Sequence, residues 1–234
     1  MEPALSSQAE TPNPKDWVGR REESVDLVTA GPIAGLAALL GYETPPWPAG
    51  SLPPLAHWFY CLNRTPQDAL DGDGHEKRGA FLPLVSLPRR MWAGGSLTFH
   101  HQVRLGAVFR RLSTIADVSE KLGRTGPLIF VTLDHRLEDS KGLAILERQE
   151  LVYRGHAGKI SNTVTLHAPP SKSFDWERIV TPDPVLLFRY SALTFNAHRI
   201  HYDREFCQGH EGYPGLVVHG PLTATLLADL YLRN

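Results

Sequence analysis

The chain has 234 residues, of which 42% are hydrophobic and 21% charged, and a formal net charge of −1. That is enough apolar material for one large domain or two small ones with a real core. It also excludes the cationic surface by which nucleic acid or an anionic membrane is usually bound.

The N-terminal MEPALSSQAETPNPKDW has neither a secretory apolar region nor an arginine-rich organelle pattern, and residues 1–16 read as a disordered tail. TAGPIAGLAALLGYETPP carries helix signals: Thr29 as cap, Pro32 in the first turn, Gly41 as the stop and Pro45 beyond it. Its apolar residues cover much of the circumference, which predicts a mostly buried helix. Residues 45–95 are rich in proline, glycine and aromatics, with a short apolar segment around Trp58 to Leu62 and a polar loop, DGDGHEKRG. The prolines of AFLPLVSLPRRMWAGG keep that stretch extended.

Strand signals follow. GSLTFHHQVRLG alternates, AVFRRLSTIADVSEKLGRTG is a long amphiphilic segment, and PLIFVTLDHRLED and GLAILERQELVYRG read as strands at hairpin-like spacing. An antiparallel sheet is expected. Residues 156–183 are polar, with few large aliphatics, and suggest a linker. PVLLFRYSALTF is expected to open a new strand. YPGLVVHGPLTATLLADLYLRN then predicts a second helix with Pro221 in its first turn and a stripe of Leu222, Leu226, Leu227 and Leu230. GPIAGLAALL and GPLTATLLAD each open with Gly-Pro onto a small-and-leucine helix, which suggests two related units. No sheet follows the second helix. It therefore packs on the first unit's sheet, or on a partner's, or belongs to a shortened unit.

No run approaches the roughly 18 apolar residues of a membrane span. Two cysteines, Cys61 and Cys207, fit free thiols in a reducing compartment, and with no C-x-x-C pair a structural zinc site is not expected. These features predict a cytoplasmic protein.

The chemistry concentrates in FRYSALTFNAHRIHYD, where Asn196, His198, His201 and Asp203 lie among aromatic residues. Three readings compete. The histidines and the amide can satisfy one another at a buried strand end, as buried polar groups normally do. His198, His201 and Asp203 can ligate a metal, although the spacing is weak. His201 can transfer a proton while Asn196 orients a water or carbonyl. PGLVVHGPL favours the third. It sets Val217, Val218, His219 and Gly220 directly before a helix, whose free N–H groups stabilise developing negative charge.

FRYSALTFNAHRIHYD followed by EGYPGLVVHGPL resembles the MaoC-like hydratases of the hot-dog superfamily. The resemblance is to the branch of hydroxyacyl-thioester dehydratase type 2, mesaconyl-C4-CoA hydratase and itaconyl-CoA hydratase. FLPLVSLPRRMWAGGSLTF, KLGRTGPLIFVTL and ERQELVYRG resemble that branch's N-terminal half. The resemblance implies an α+β double hot-dog, with one unit over 17–155, a linker over 156–183, and the catalytic-motif part of a second, C-terminally shortened unit over 184–234.

The activity it implies is hydration of an enoyl-CoA, or dehydration of a 3-hydroxyacyl thioester, on a branched carboxylated acyl group such as mesaconyl-C4-CoA or itaconyl-CoA. Its histidine falls on His201 and its helix-entry glycine on Gly220. Its aspartate falls on Asn196, which cannot exchange a proton at neutral pH. His201 then acts alone, or with His198 or a substrate carboxylate. His198, His219 and Val218 are the substrate-side candidates. Arg189 and Arg199 either anchor their segment or meet a CoA phosphate or substrate carboxylate. The resemblance further implies no metal or redox cofactor beyond the CoA of the substrate, an acyl-CoA partner and a homodimer through paired sheets; the charge balance adds no expectation of nucleic acid or a membrane as partner. A non-catalytic thioester-binding or scaffold subunit and a hot-dog thioesterase are the alternatives.

Overall fold

Alternation of buried and exposed side chains along residues 89–154 produces four long strands, and an earlier one joins them at the edge. The structure, a computed structural model, describes residues 12–124, 126–155 and 173–234. Strands β1 (Arg21–Leu27), β2 (Arg89–Phe99), β3 (Val108–Gly123), β4 (Gly126–Asp139) and β5 (Gly142–Arg154) form one antiparallel sheet in the order β1-β3-β4-β5-β2. Helix α1 (Ala30–Leu40) follows β1. Gly41 takes the left-handed conformation with φ 79°, which ends the helix as the sequence predicts.

The inner face of the sheet carries two apolar clusters. In one, Ile33, Leu36, Leu39 and Leu40 of α1 pack with Phe109, Leu137 and Ile145. In the other, Ile115, Val131, Leu133 and Tyr153 pack with Leu82, Val85 and Trp17. Trp17 closes a short turn, Pro14–Trp17, so the expected tail ends before residue 14; residues 1–11 lie outside the described residues. Of the expected linker, 156–172 also lie outside them.

The segment expected to open a strand at 184 is instead helix α2 (Pro184–Thr194). Asp183 accepts a hydrogen bond from Leu186 N at 2.8 Å, and Pro184 takes the first turn. An aspartate cap followed by proline is a strong helix start, and it prevails over the β-branched and aromatic composition. Helix α3 (Gly220–Arg233) completes the chain. Its buried side is Leu222, Thr225 and Asp229, whereas Leu227 is 64% exposed, contrary to the expected stripe.

Among the described residues, 184–234 contain no strand. Leu187, Tyr190 and Leu222 enter the same cluster as α1 and Phe109, so the second helical pair packs on the first unit's core. Asp229 fastens the far end of α3 by accepting from Tyr42 Oη (2.6 Å), Arg178 Nη1 (2.5 Å) and Arg233 Nε (2.8 Å).

Leu222 is fully buried between these halves. Leu222→Ala is expected to destabilise the fold by about 2–5 kcal/mol, the cost of an unfilled cavity. Denaturant unfolding measures it; a loss under about 1 kcal/mol would mean that α3 does not share this core.

Candidate active site

A cavity of about 950 Å³ lies between the sheet's inner face and the segments 188–202 and 217–221. It brings together His198, His201, Asn196, Val218, His219 and Gly220. It does not include Arg189, which is exposed on α2, or Arg199. Arg199 is held by Asp203 at 2.7 Å, donates to Gly72 O and lies over the Phe206 ring. Asp203 also accepts from Phe206 N at 2.9 Å and so caps the next turn, away from any shared ligand set with His198 and His201.

His201 ends a short turn, Arg199–His201, and is buried. Its Nδ1 lies 2.7 Å from Val217 O. A carbonyl only accepts, so Nδ1 carries the proton and Nε2 is left as the acceptor. The His219 ring stacks on it at 3.6 Å, and His219 Nε2 meets Ser191 Oγ at 2.9 Å. On the other side His198 lies 5.4 Å away, edge to face.

Asn196 Oδ1 accepts from His198 N at 3.0 Å, an arrangement that shapes the turn and, among the described residues, leaves the amide NH₂ without an acceptor. Gly220 is the first residue of α3. A Cβ there would fall 2.5 Å from Trp92 Cε3, so the indole fills the space that a side chain would need. Here the glycine permits close packing of the helix start on β2.

Sequence reasoning passed over one part of the wall. The DGDGHEKRG loop places His75 against His198 at 4.0 Å. Asp73 fixes His75 by accepting from its Nδ1 and from its backbone N, each at 2.9 Å. Gly74, with φ 89°, sits so close to Ala197 O that no side chain fits. Four imidazoles thus run in sequence: His75, His198, His201, His219. The carboxylate two residues before His75, set between glycines, was the available signal. Ligand atoms of Asp73, His75 and His198 lie within 4.8 Å of one another, the one such trio among the described residues. Asp73 already gives both oxygens to His75.

Burial governs the charge of these groups. It pushes His201 down to about 4 and His219 to about 3, and it lowers His198 further, helped by the neighbouring His75 and His201. For His201 the bond to Val217 O opposes the shift without cancelling it. All three rings are neutral at pH 7.

The fold resembles solved MaoC-like structures. A MaoC-like dehydratase matches with TM-score 0.64 at 15% identity, covering 94% of this chain and 78% of that one. The MaoC-like dehydratase from Phytophthora capsici gives TM-score 0.64 at 13% identity, over 94% and 76%. In sequence, residues 55–234 match the family of hydroxyacyl-thioester dehydratase type 2. The chain is 48% identical over 215 residues to the mesaconyl-C(4)-CoA hydratase of Chloroflexus aurantiacus, across 92% of this chain and 76% of that protein. It is 29% identical to the mitochondrial hydroxyacyl-thioester dehydratase type 2 of Schizosaccharomyces pombe, across 89% and 78%. The fold is that of a MaoC-like hot-dog protein. Within that class, the chain belongs to the hydroxyacyl-thioester dehydratase type 2 family.

The histidine shifts have a defined stability consequence. The unfolded chain binds protons near the ordinary histidine value of about 6.5, whereas the folded chain refuses them until about 4. Stability is therefore complete above 6.5 and falls as pH drops through this window. Thermal melts from pH 7.5 to 5 are expected to show a declining Tm, and NMR the His201 ring protons unmoved over that range. A ring titrating near 6.5 in the folded protein would contradict this assignment.

Proposed function

We propose that the protein hydrates an enoyl-CoA with a short, carboxylated acyl group of the mesaconyl-C4 type, and catalyses the reverse dehydration. The observation that carries this reading is His201, which lines the cavity with the start of α3, its Nδ1–H held by Val217 O and its Nε2 without a hydrogen-bond partner among the described residues. Neutral at pH 7, Nε2 takes a proton from water as the water oxygen bonds to the β-carbon. The double-bond electrons move to the thioester oxygen. The Gly220 N–H, in the first turn where a helix supplies its N–H groups with no intrahelical acceptor, stabilises that enolate. The imidazolium then returns its proton to the α-carbon, which regenerates neutral His201 and gives the 3-hydroxyacyl product.

Asn196 uses its free NH₂ to orient the water, since Oδ1 already serves His198 N. His219 holds the His201 plane by stacking on it, and Ser191 holds His219 by a hydrogen bond to its Nε2. His198 and Val218 flank the acyl group. The proton is moved by chain residues, with CoA present only as part of the substrate. The same reading carries a cytoplasmic homodimer, supported by the two free, buried thiols and by the pairing habit of hot-dog sheets.

Purified protein given mesaconyl-C4-CoA should lose the conjugated enoyl absorbance without releasing thiol. Thiol release would identify a thioesterase. His201→Asn is expected to lower kcat by about 10²- to 10⁴-fold, the range for a lost general base. Undiminished turnover in a folded His201→Asn protein would remove His201 from the mechanism.

A further inference from the structure

Between its two apolar clusters the inner sheet face carries a polar band: Arg111 and Ser113 on β3, His135 on β4, Glu147 and Gln149 on β5. Strand register aligns Ser113, His135 and Glu147 directly across the sheet. Four of the five have partners. Glu147 accepts from Trp58 Nε1 (2.8 Å), Gln149 Nε2 (2.7 Å) and His57 Nε2 (3.1 Å), and His135 Nδ1 meets Ser113 Oγ at 2.8 Å.

Arg111 is the exception. Its Nε is buried with no hydrogen-bond partner, and its guanidinium makes no ion pair within 4 Å among the described residues. Glu22 on β1 senses its field without contact. The other arginine lining the cavity, Arg90, faces Glu76 at 3.7 Å. Arg111 lines the same cavity as His201 and Gly220.

A half-buried guanidinium without a counter-charge is costly, and a planar carboxylate that reaches it is bound by two parallel charge-assisted hydrogen bonds. An alkyl tail ending at Arg111 would instead desolvate the guanidinium further and give it nothing in return. We propose that Arg111 is the specificity-determining residue of the cavity, binding the free carboxylate at the far end of a short acyl thioester. This rests on the reading that the cavity takes an acyl-CoA, and it adds which acyl-CoA and by which residue.

The test compares two saturated four-carbon thioesters, succinyl-CoA and butyryl-CoA, which differ in the terminal carboxylate and undergo no hydration. Calorimetric Kd values are measured for the unaltered protein, Arg111→Gln and Arg111→Lys, each shown to be folded by circular dichroism. The unaltered protein should prefer succinyl-CoA by roughly 10- to 100-fold, the range of a hydrogen-bonded charge pair. Arg111→Gln should bring the ratio close to one, and Arg111→Lys should keep part of it. If either variant fails to fold, the other decides. A ratio near one in the unaltered protein, or a ratio unchanged in the variants, overturns the proposal. Equal weakening of both ligands leaves the ratio unchanged and so assigns Arg111 to CoA or to the fold. Because no turnover is read, an inactive His201 site leaves this measurement intact.

Discussion

A carboxylate on the inner face of a sheet must be matched or neutralised, and Glu147 is matched. Burial alone would push its carboxyl up, but the His57 bond and charge, with His135 and Gln149, hold it down at about 2. Three donors converge on it from two directions: Gln149 from its own strand, His57 and Trp58 from the turn at Ala56–Phe59. This satisfied charge pins the 45–62 segment over the middle of the sheet. It also prevents the two apolar clusters from fusing. A continuous apolar face would pack solid, as protein interiors do; a polar band closed from above leaves a cavity instead.

The C-terminal segment reaches that cavity through several independent attachments. Arg89 of β2 pairs with Glu211 at 2.6 Å, with both side chains buried. Arg199 N donates to Asp73 O at 2.9 Å, and Val217 N to Ile200 O at 2.9 Å. The Val217–Ile200 bond, within the C-terminal segment itself, closes the loop that carries Val217, and Val217 O is the group that fixes the tautomer of His201. The start of α3 rests on Trp92 because Gly220 has no side chain. The cavity and the geometry proposed for catalysis are therefore built from both halves of the chain, so an isolated 184–234 segment would lack the wall made by Asp73, His75 and the sheet.

How much of this was legible depends on how local each signal is. Helix α1 was readable because Pro32 and Gly41 act within one turn of their own positions; Thr29 stands at the N-cap position but its side chain makes no capping hydrogen bond. Helix α2 was also locally signalled, by Asp183 and Pro184, but the run PVLLFRYSALTF is apolar on most sides and periodicity could not separate helix from strand. His198, His201, His219 and Gly220 stood out through motif and resemblance, and they do converge on one cavity. Arg189 and Arg199 carried no information on direction, and the fold points them elsewhere. His75 and Arg111 were invisible for a different reason. One lies in a polar loop and the other in a long amphiphilic segment; only register and loop docking bring them to the wall.

The amide at 196 is easier to understand in this setting. In a site where burial keeps three imidazoles neutral, a carboxylate at 196 would add a desolvated charge next to them and raise their proton affinity. An amide keeps the turn-forming acceptor that holds His198 N and adds no charge. The negative charge within reach is instead Asp73, one step removed through His75, held well below the ordinary carboxylate range by that histidine although burial opposes it. His201 thus has neutral rings on either side, His198 and His219, and a fixed acceptor in Val217 O. This suits a base that must take a proton from water and give it back within one turnover: a nearby anion would hold that proton and slow its return.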